Sequence, residues 1–153
     1  MAQRICGHVG IGATIATMAV VAVLAGGVGT ASAHTTGFPS SLTLSWSPIN
    51  QGVAGVNSKW SGEVDSPKAA CKPHRTVRLY RQASAAATPV FLAETKSSAD
   101  PAVGVGSYAI YTDGSPPQPG RYFTKVTRKN IGPPGHHHIC RAARSNDYFE
   151  PSS

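Results

Sequence analysis

Thr76-Val77-Arg78-Leu79-Tyr80-Arg81 and Arg121-Tyr122-Phe123-Thr124-Lys125-Val126-Thr127 decide the fold class. In the first stretch Val77 and Leu79 fall on one side of an extended chain, Arg78 and Tyr80 on the other. In the second, Tyr122 shares parity with Thr124 and Val126, and Arg121, Phe123 and Lys125 take the opposite side. Side chains of a strand alternate between two faces. A run that is apolar at every second position and rich in β-branched and aromatic residues is therefore a strand with one buried face.

The same pattern recurs on both sides of these stretches. It covers Ser41 to Trp46, Lys59 to Val64, Val90 to Thr95, Ser107 to Tyr111, and a last short segment from Asp147 to Glu150. Between the runs lie clusters of Gly, Pro, Ser, Asn and Asp: Pro48 to Asn57, Asp65 to Lys68, Ser97 to Gly106, Asp113 to Gly120, and Asn130 to Gly135. No stretch holds a helical period. The alanine-rich run Ala83 to Ala87 is too short for a helix and reads as a loop or single turn. Seven short strands with polar turns predict an all-β chain whose two antiparallel sheets pack as a sandwich. The expected core is Leu42, Leu44, Trp46, Val64, Val77, Leu79, Leu92, Tyr108, Ile110, Tyr122 and Val126.

The first thirty-three residues read differently. Arg4 precedes an apolar and glycine-rich stretch from Val9 to Val28, and Ala31-Ser32-Ala33 forms a small-x-small cleavage site. This is the pattern of a secretory signal peptide, removed on export. The competing reading is a retained anchor, since about 20 apolar residues span a bilayer. Cleavage after Ala33 would leave 34–153 as one secreted or cell-surface domain starting at His34, with membrane contact only through the peptide before removal.

Arg4 is the single Lys or Arg of the leader, so 13 of the 14 basic residues and all 7 acidic ones lie beyond it. A basic exported domain is drawn to anionic surfaces, whether a cell-surface polymer, a glycan or an acidic extracellular protein. Arg78, Arg121 and Lys125 are the expected contacts. Export removes nucleic acid as a partner, and no nucleic-acid-binding motif is present. Cys6 departs with the leader, leaving Cys71 and Cys140, 69 positions apart. An even pair in an exported chain predicts one disulfide. Neither cysteine has a partner at zinc-ligand spacing.

Four segments together resemble the carboxypeptidase regulatory-like, transthyretin-like group of extracellular β-sandwich domains. They are Ser61-Gly62-Glu63-Val64, Arg75 to Tyr80, Gly106-Ser107-Tyr108-Ala109-Ile110, and Pro119-Gly120-Arg121-Tyr122-Phe123-Thr124-Lys125-Val126. The resemblance spans about Lys59 to Arg128. It implies an immunoglobulin-like or prealbumin-like sandwich and a non-catalytic binding, adhesive or structural role. It carries no catalytic residues across. The Ser97-Ser98-Ala99-Asp100-Pro101 turn and the cysteine pair depart from the group's pattern.

Motifs of catalysis are missing: no GxSxG elbow, no GxGxxG, no HExxH. Glu63 and Asp65 share a strand face and read as solvated acids, and His74 as a turn residue. The expectation is thus a binding or structural domain without enzymatic activity or cofactor. One alternative has specific residues behind it. A terminal His34 chelates copper through its α-amine and imidazole, and His136 or His138 supplies a further imidazole. These three histidines are the candidate copper or zinc ligands, although the His136-His137-His138 run sits beside Gly132-Pro133-Pro134-Gly135 and reads as a loop.

Overall fold

A computed structural model describes residues 34–49, 57–114, 117–133 and 136–151. The stretch expected to be a signal peptide, its expected cleavage point and Cys6 lie outside the described residues. Strands dominate what is described. In chain order they are β1 (His34–Phe38), β2 (Ser41–Leu42), β3 (Ser45–Pro48), β4 (Ser58–Asp65), β5 (Thr76–Gln82), β6 (Val90–Lys96), β7 (Ser107–Thr112), β8 (Gly120–Val126), β9 (Lys129–Ile131), β10 (His136–Cys140), β11 (Ala143–Arg144) and β12 (Tyr148–Glu150). The only helical element among the described residues is a 3-10 turn at Ala69–Cys71. The protein is all-β, with open sheets.

Each of the seven stretches read as strands contains strand, the first divided into β2 and β3. β1, β9, β10 and β11 are additional. They are short or carry no alternation, so the pattern does not announce them. Ala83 to Ala87 forms a turn, closed by the Ala87 amide donating to the Ser84 carbonyl at 3.1 Å.

β4 runs antiparallel between β3 and β7, with β2 pairing its far end. β5 lies between β6 and β8, and β11 and β12 pair with the other side of β8. A third sheet orders β1-β10-β9, its β1–β10 pair parallel. The core draws from the first two sheets together. Leu42, Leu44, Trp60, Val64, Tyr108 and Ile110 come from the β4 sheet and its connections, and Val77, Leu79, Tyr122 and Val126 from the β5 sheet. Trp60 stacks on Tyr122 with ring centroids 4.4 Å apart and meets Tyr148 edge-on at 5.4 Å. Its indole N–H donates to Thr112 Oγ1 at 3.0 Å, so this large aromatic is buried with its polar atom satisfied.

Three core expectations change. Trp60, absent from the expected core, is fully buried and shares parity with Val64 through Gly62. Trp46 is half-buried and packs on the core's margin. Leu92 is 39% exposed. Leu92 shares parity with the outward Glu94, and because Leu79 pairs with Ala93 and Tyr80 with Phe91, it is also the extra residue at a register shift on β6. One extra residue reverses the faces beyond it. Ala93, before the shift, packs inward under Leu79, and beyond it Phe91 stands outward beside Tyr80.

Gly62 and Gly106 are required where they stand. A Cβ on Gly62 would run into the Thr43 carbonyl and the Tyr108 hydroxyl, and Gly106 has a φ of +99° with the Val64 carbonyl against it.

Cys71 and Cys140 are disulfide-bonded, with Cα atoms 5.4 Å apart. The bond joins the end of β10 to the turn that follows β4.

Candidate functional site

The outward face of the β5 sheet gathers the basic residues singled out above. Antiparallel registration places Glu94, Arg78, Lys125 and Arg144 in one row across β6, β5, β8 and β11. The next row is aromatic: Phe91, Tyr80 and Phe123. A third row holds Gln82, Arg121 and Phe149. Strand alternation alone produces this arrangement, because the inward partners of the same strands are the core residues Val77, Leu79, Tyr122 and Val126.

Rings and cations interlock across the first two rows. Tyr80 stacks on Phe123 at 5.6 Å between centroids and meets Phe91 edge-on at 6.0 Å. The Lys125 ammonium stands 5.3 Å from the Tyr80 ring and 5.5 Å from that of Phe123, and the Arg144 guanidinium lies 4.0 Å above Phe123. Such contacts hold cations over aromatic faces. They also explain why Phe123, on the side opposite the core by strand parity, is only 2% exposed. It points outward but is roofed by Arg144, Lys125 and Tyr80. The exposed ring of the row is Phe91, at 50%.

Carboxylates balance part of the charge. Arg78 Nε donates to Glu94 Oε2 at 2.9 Å, and the Glu94 carboxylate holds the Arg78 guanidinium above its ordinary range. Asp147 accepts from both Arg121, at 3.3 Å, and Arg144. Arg121 also donates to Gln82 Oε1 at 2.8 Å. Among the described residues Lys125 has no such carboxylate partner. Four cations and two carboxylates leave the face positive, and the ion pairs fix the arginine head groups in place.

The structure thus brings Arg78, Arg121 and Lys125 onto one surface, and adds Tyr80, Phe91, Arg144 and Asp147 to it. The parity of Tyr80 with Arg78 was legible in sequence. Phe91 was hidden by the register shift, and Arg144 by the shortness of β11.

The histidine run is strand, not loop. β10 pairs in parallel with β1 in the register His34 to His136, Thr35 to His137 and Thr36 to His138. Among the described residues no group of three or more His, Cys, Asp or Glu stands ready to hold a metal ion. Asp65 ion-pairs with Lys72 at 2.6 Å, and this hydrogen bond holds its carboxyl below the usual range. His74 occupies its turn with a φ of +56°. An open cleft of about 420 Å³ is lined by Trp60, Arg81, Leu92, Asp113 and Tyr122 among others.

Comparison with family models, with curated proteins and with solved structures finds no match for the chain.

Proposed function

We propose that the protein is an exported, non-catalytic binding domain that takes an acidic polysaccharide or similar polymer of the cell surface on the outward face of its β5 sheet. Its finer architecture is, on this reading, an immunoglobulin-like or prealbumin-like sandwich, close to the carboxypeptidase regulatory-like group. The core shared by two sheets and the Pro119-Gly120 entry into β8 support that architecture. The Cys71–Cys140 disulfide suits an oxidising compartment.

The observation that carries the functional reading is the lattice of Lys125 and Arg144 over Tyr80 and Phe123. A row of held cations beside exposed aromatic surface matches a ligand that alternates anionic groups with apolar ring faces. Acidic glycans have that chemistry: carboxylate or sulfate groups pair with Lys125 and Arg78, and sugar rings lie on Phe91. An open sheet face suits an extended polymer better than a small molecule, which needs an enclosing site.

Titration of heparin into the protein, with neutral dextran as the control, tests this. Heparin should bind at low salt and weaken steeply as salt rises. A Lys125→Ala/Arg144→Ala double variant should lose about tenfold or more in affinity, since one charge-assisted contact is worth about 1.5–3 kcal/mol. Equal binding by the variant, or equal binding of dextran, would overturn the reading.

A further inference from the structure

We infer that one end of the β5 sheet, formed by the β5–β6 turn and β12, is a docking tip that dips into the headgroup layer of an anionic phospholipid bilayer. This inference goes beyond the polymer reading and does not rest on it.

The argument begins with an uninterrupted run. Ala83 to Ala93 reads Ala-Ser-Ala-Ala-Ala-Thr-Pro-Val-Phe-Leu-Ala and holds no charged residue. It comprises the turn after β5 and the start of β6. Every position in it is exposed except Ala87 and Ala93, which are half-buried. Six large apolar side chains are exposed among the described residues, and four of them stand at this end: Val90, Phe91, Leu92 and Phe149. Registration explains the gathering. Val90 pairs with Arg81 and Phe91 with Tyr80, near the close of β5. Phe149 pairs with Arg121, and Arg121 with Gln82, the last residue of β5. Ala83, Pro119, Phe149 and Pro151 line one depression between the turn and β12. A soluble monomer seldom exposes apolar surface gathered in this way unless something binds it.

Charge says what that partner is. Behind the tip comes Arg121, and two rows further along the strands come Arg78, Lys125 and Arg144. Alternate positions of a strand are about 6.6 Å apart on one face, so the second group stands about 13 Å behind the first. With the strands upright and the tip sunk about 5–10 Å, the depth at which interfacial segments settle, these cations lie at the level of the lipid phosphates. Basic residues held there are drawn to anionic lipid. The acids nearby have partners: Asp147 pairs with Arg121 and Arg144, and Glu150 accepts the Tyr148 hydroxyl at 3.0 Å. Asp113 and Arg81 line one cleft, a charge of each sign.

Other partners fit less well. A second copy would pair along β6, which is last in its sheet. The extra residue at Leu92 interrupts that edge, and Glu94 and Lys96 follow it. Bulges and charges on an edge strand work against such pairing. An acidic polymer meets no cation between Ala83 and Ala93. A fluid bilayer takes up an exposed apolar turn without needing a matching shape.

The experiment is co-sedimentation with lipid vesicles, on protein recovered after export and checked by intact mass, so that the apolar leader cannot itself hold lipid. Mixed phosphatidylglycerol–phosphatidylcholine vesicles should bind the protein about tenfold or more tightly than pure phosphatidylcholine. A Val90→Ser/Phe149→Ser double variant should lose about tenfold or more on the mixed vesicles, because two apolar side chains no longer leave water. Circular dichroism checks that its strands persist. The fluorescence of a Phe149→Trp variant should be quenched by lipid brominated on its acyl chains. That of a Val103→Trp variant, exposed beside the β4 sheet, should gain no quenching over wild type. The inference fails if the mixed vesicles do not bind, or if the double variant binds them as wild type does, which would mean adsorption by net charge alone. It fails equally if brominated lipid leaves the Phe149→Trp signal unchanged. A wild-type dimer that the double variant turns into monomer would assign the patch to a second copy and overturn it.

Discussion

Arg75 is only 1% exposed, and among the described residues it has no carboxylate partner. Carbonyl oxygens take that role. Its guanidinium donates to Thr127 at 2.6 and 3.2 Å, to Cys71 at 2.9 Å and to Arg141 at 2.9 Å, and to Ser40 Oγ at 3.2 Å. Two of these acceptors flank the disulfide, so one side chain ties both of its ends to the turn after β8. Burial holds the Arg75 pKa below its ordinary value, as desolvation of a cation must. Replacement by Leu leaves several buried carbonyls without donors, and Arg75→Leu should cost about 3 kcal/mol or more in urea unfolding. Tyr108 makes a second residue-level case. Its hydroxyl donates to the Thr43 carbonyl and shares a 3.0 Å hydrogen bond with Thr124 Oγ1. Burial raises its pKa from an ordinary 10.0 to about 12. The folded state therefore holds the phenolic proton more tightly than the unfolded chain does. The stability this contributes is whole below pH 10 and is lost as pH climbs towards about 12. Wild-type protein should show a steep fall in unfolding free energy across that window, and Tyr108→Phe a shallower one, though with lower stability at neutral pH from the lost hydrogen bonds. Identical alkaline profiles would remove Tyr108 from this role.

At the scale of elements, β5 and β8 hold one register over six residue pairs from Val77–Val126 to Gln82–Arg121. Both have long alternating sequences, so their faces were legible from the residues alone. β6 was legible as a strand but not in its faces. A shift of register leaves no mark in composition, and Val90-Phe91-Leu92 is apolar at every position. Stability data should separate the two cases. Leu79→Ala removes a wholly buried side chain and should cost about 2–5 kcal/mol. Leu92→Ala, at the extra residue, should cost about 1 kcal/mol or less. Similar losses would mean that Leu92 shares the core. β1 and β10 were not legible because each takes its order from a partner far away in sequence, and β9 and β11 because they are too short to show a pattern of their own. The histidine run beside Gly132-Pro133-Pro134-Gly135 looked like loop for that reason, and its pairing with β1 supplies what local propensity lacks. The burial of Phe123 was hidden for a related reason: strand parity says which way a ring points, and not what lies over it.

For the whole molecule, the disulfide closes a loop spanning a sequence separation of 69 and links the β1-β10-β9 sheet to the turn after β4. Chain-entropy reasoning values such a loop at about 4 kcal/mol, a large part of a domain's usual stability of about 5–15 kcal/mol. Reduction should therefore lower the urea midpoint sharply, and hydrogen exchange should quicken first in β1, β9 and β10. A reduced protein with unchanged stability would show that the sheets hold without the bond. Net charge also acts at this scale. A formal charge of +7 attracts acidic polymers to the entire surface, including Lys59 on the β3-β4-β7 sheet. Affinity by itself does not distinguish that diffuse attraction from a defined site. The most direct test is to follow amide chemical shifts as heparin is added. The account predicts changes concentrated on the outward positions of β5, β8 and β11, at Arg78, Tyr80, Phe123, Lys125 and Arg144, with the β3-β4-β7 sheet unmoved. Shifts spread evenly over the basic residues of every face would contradict it.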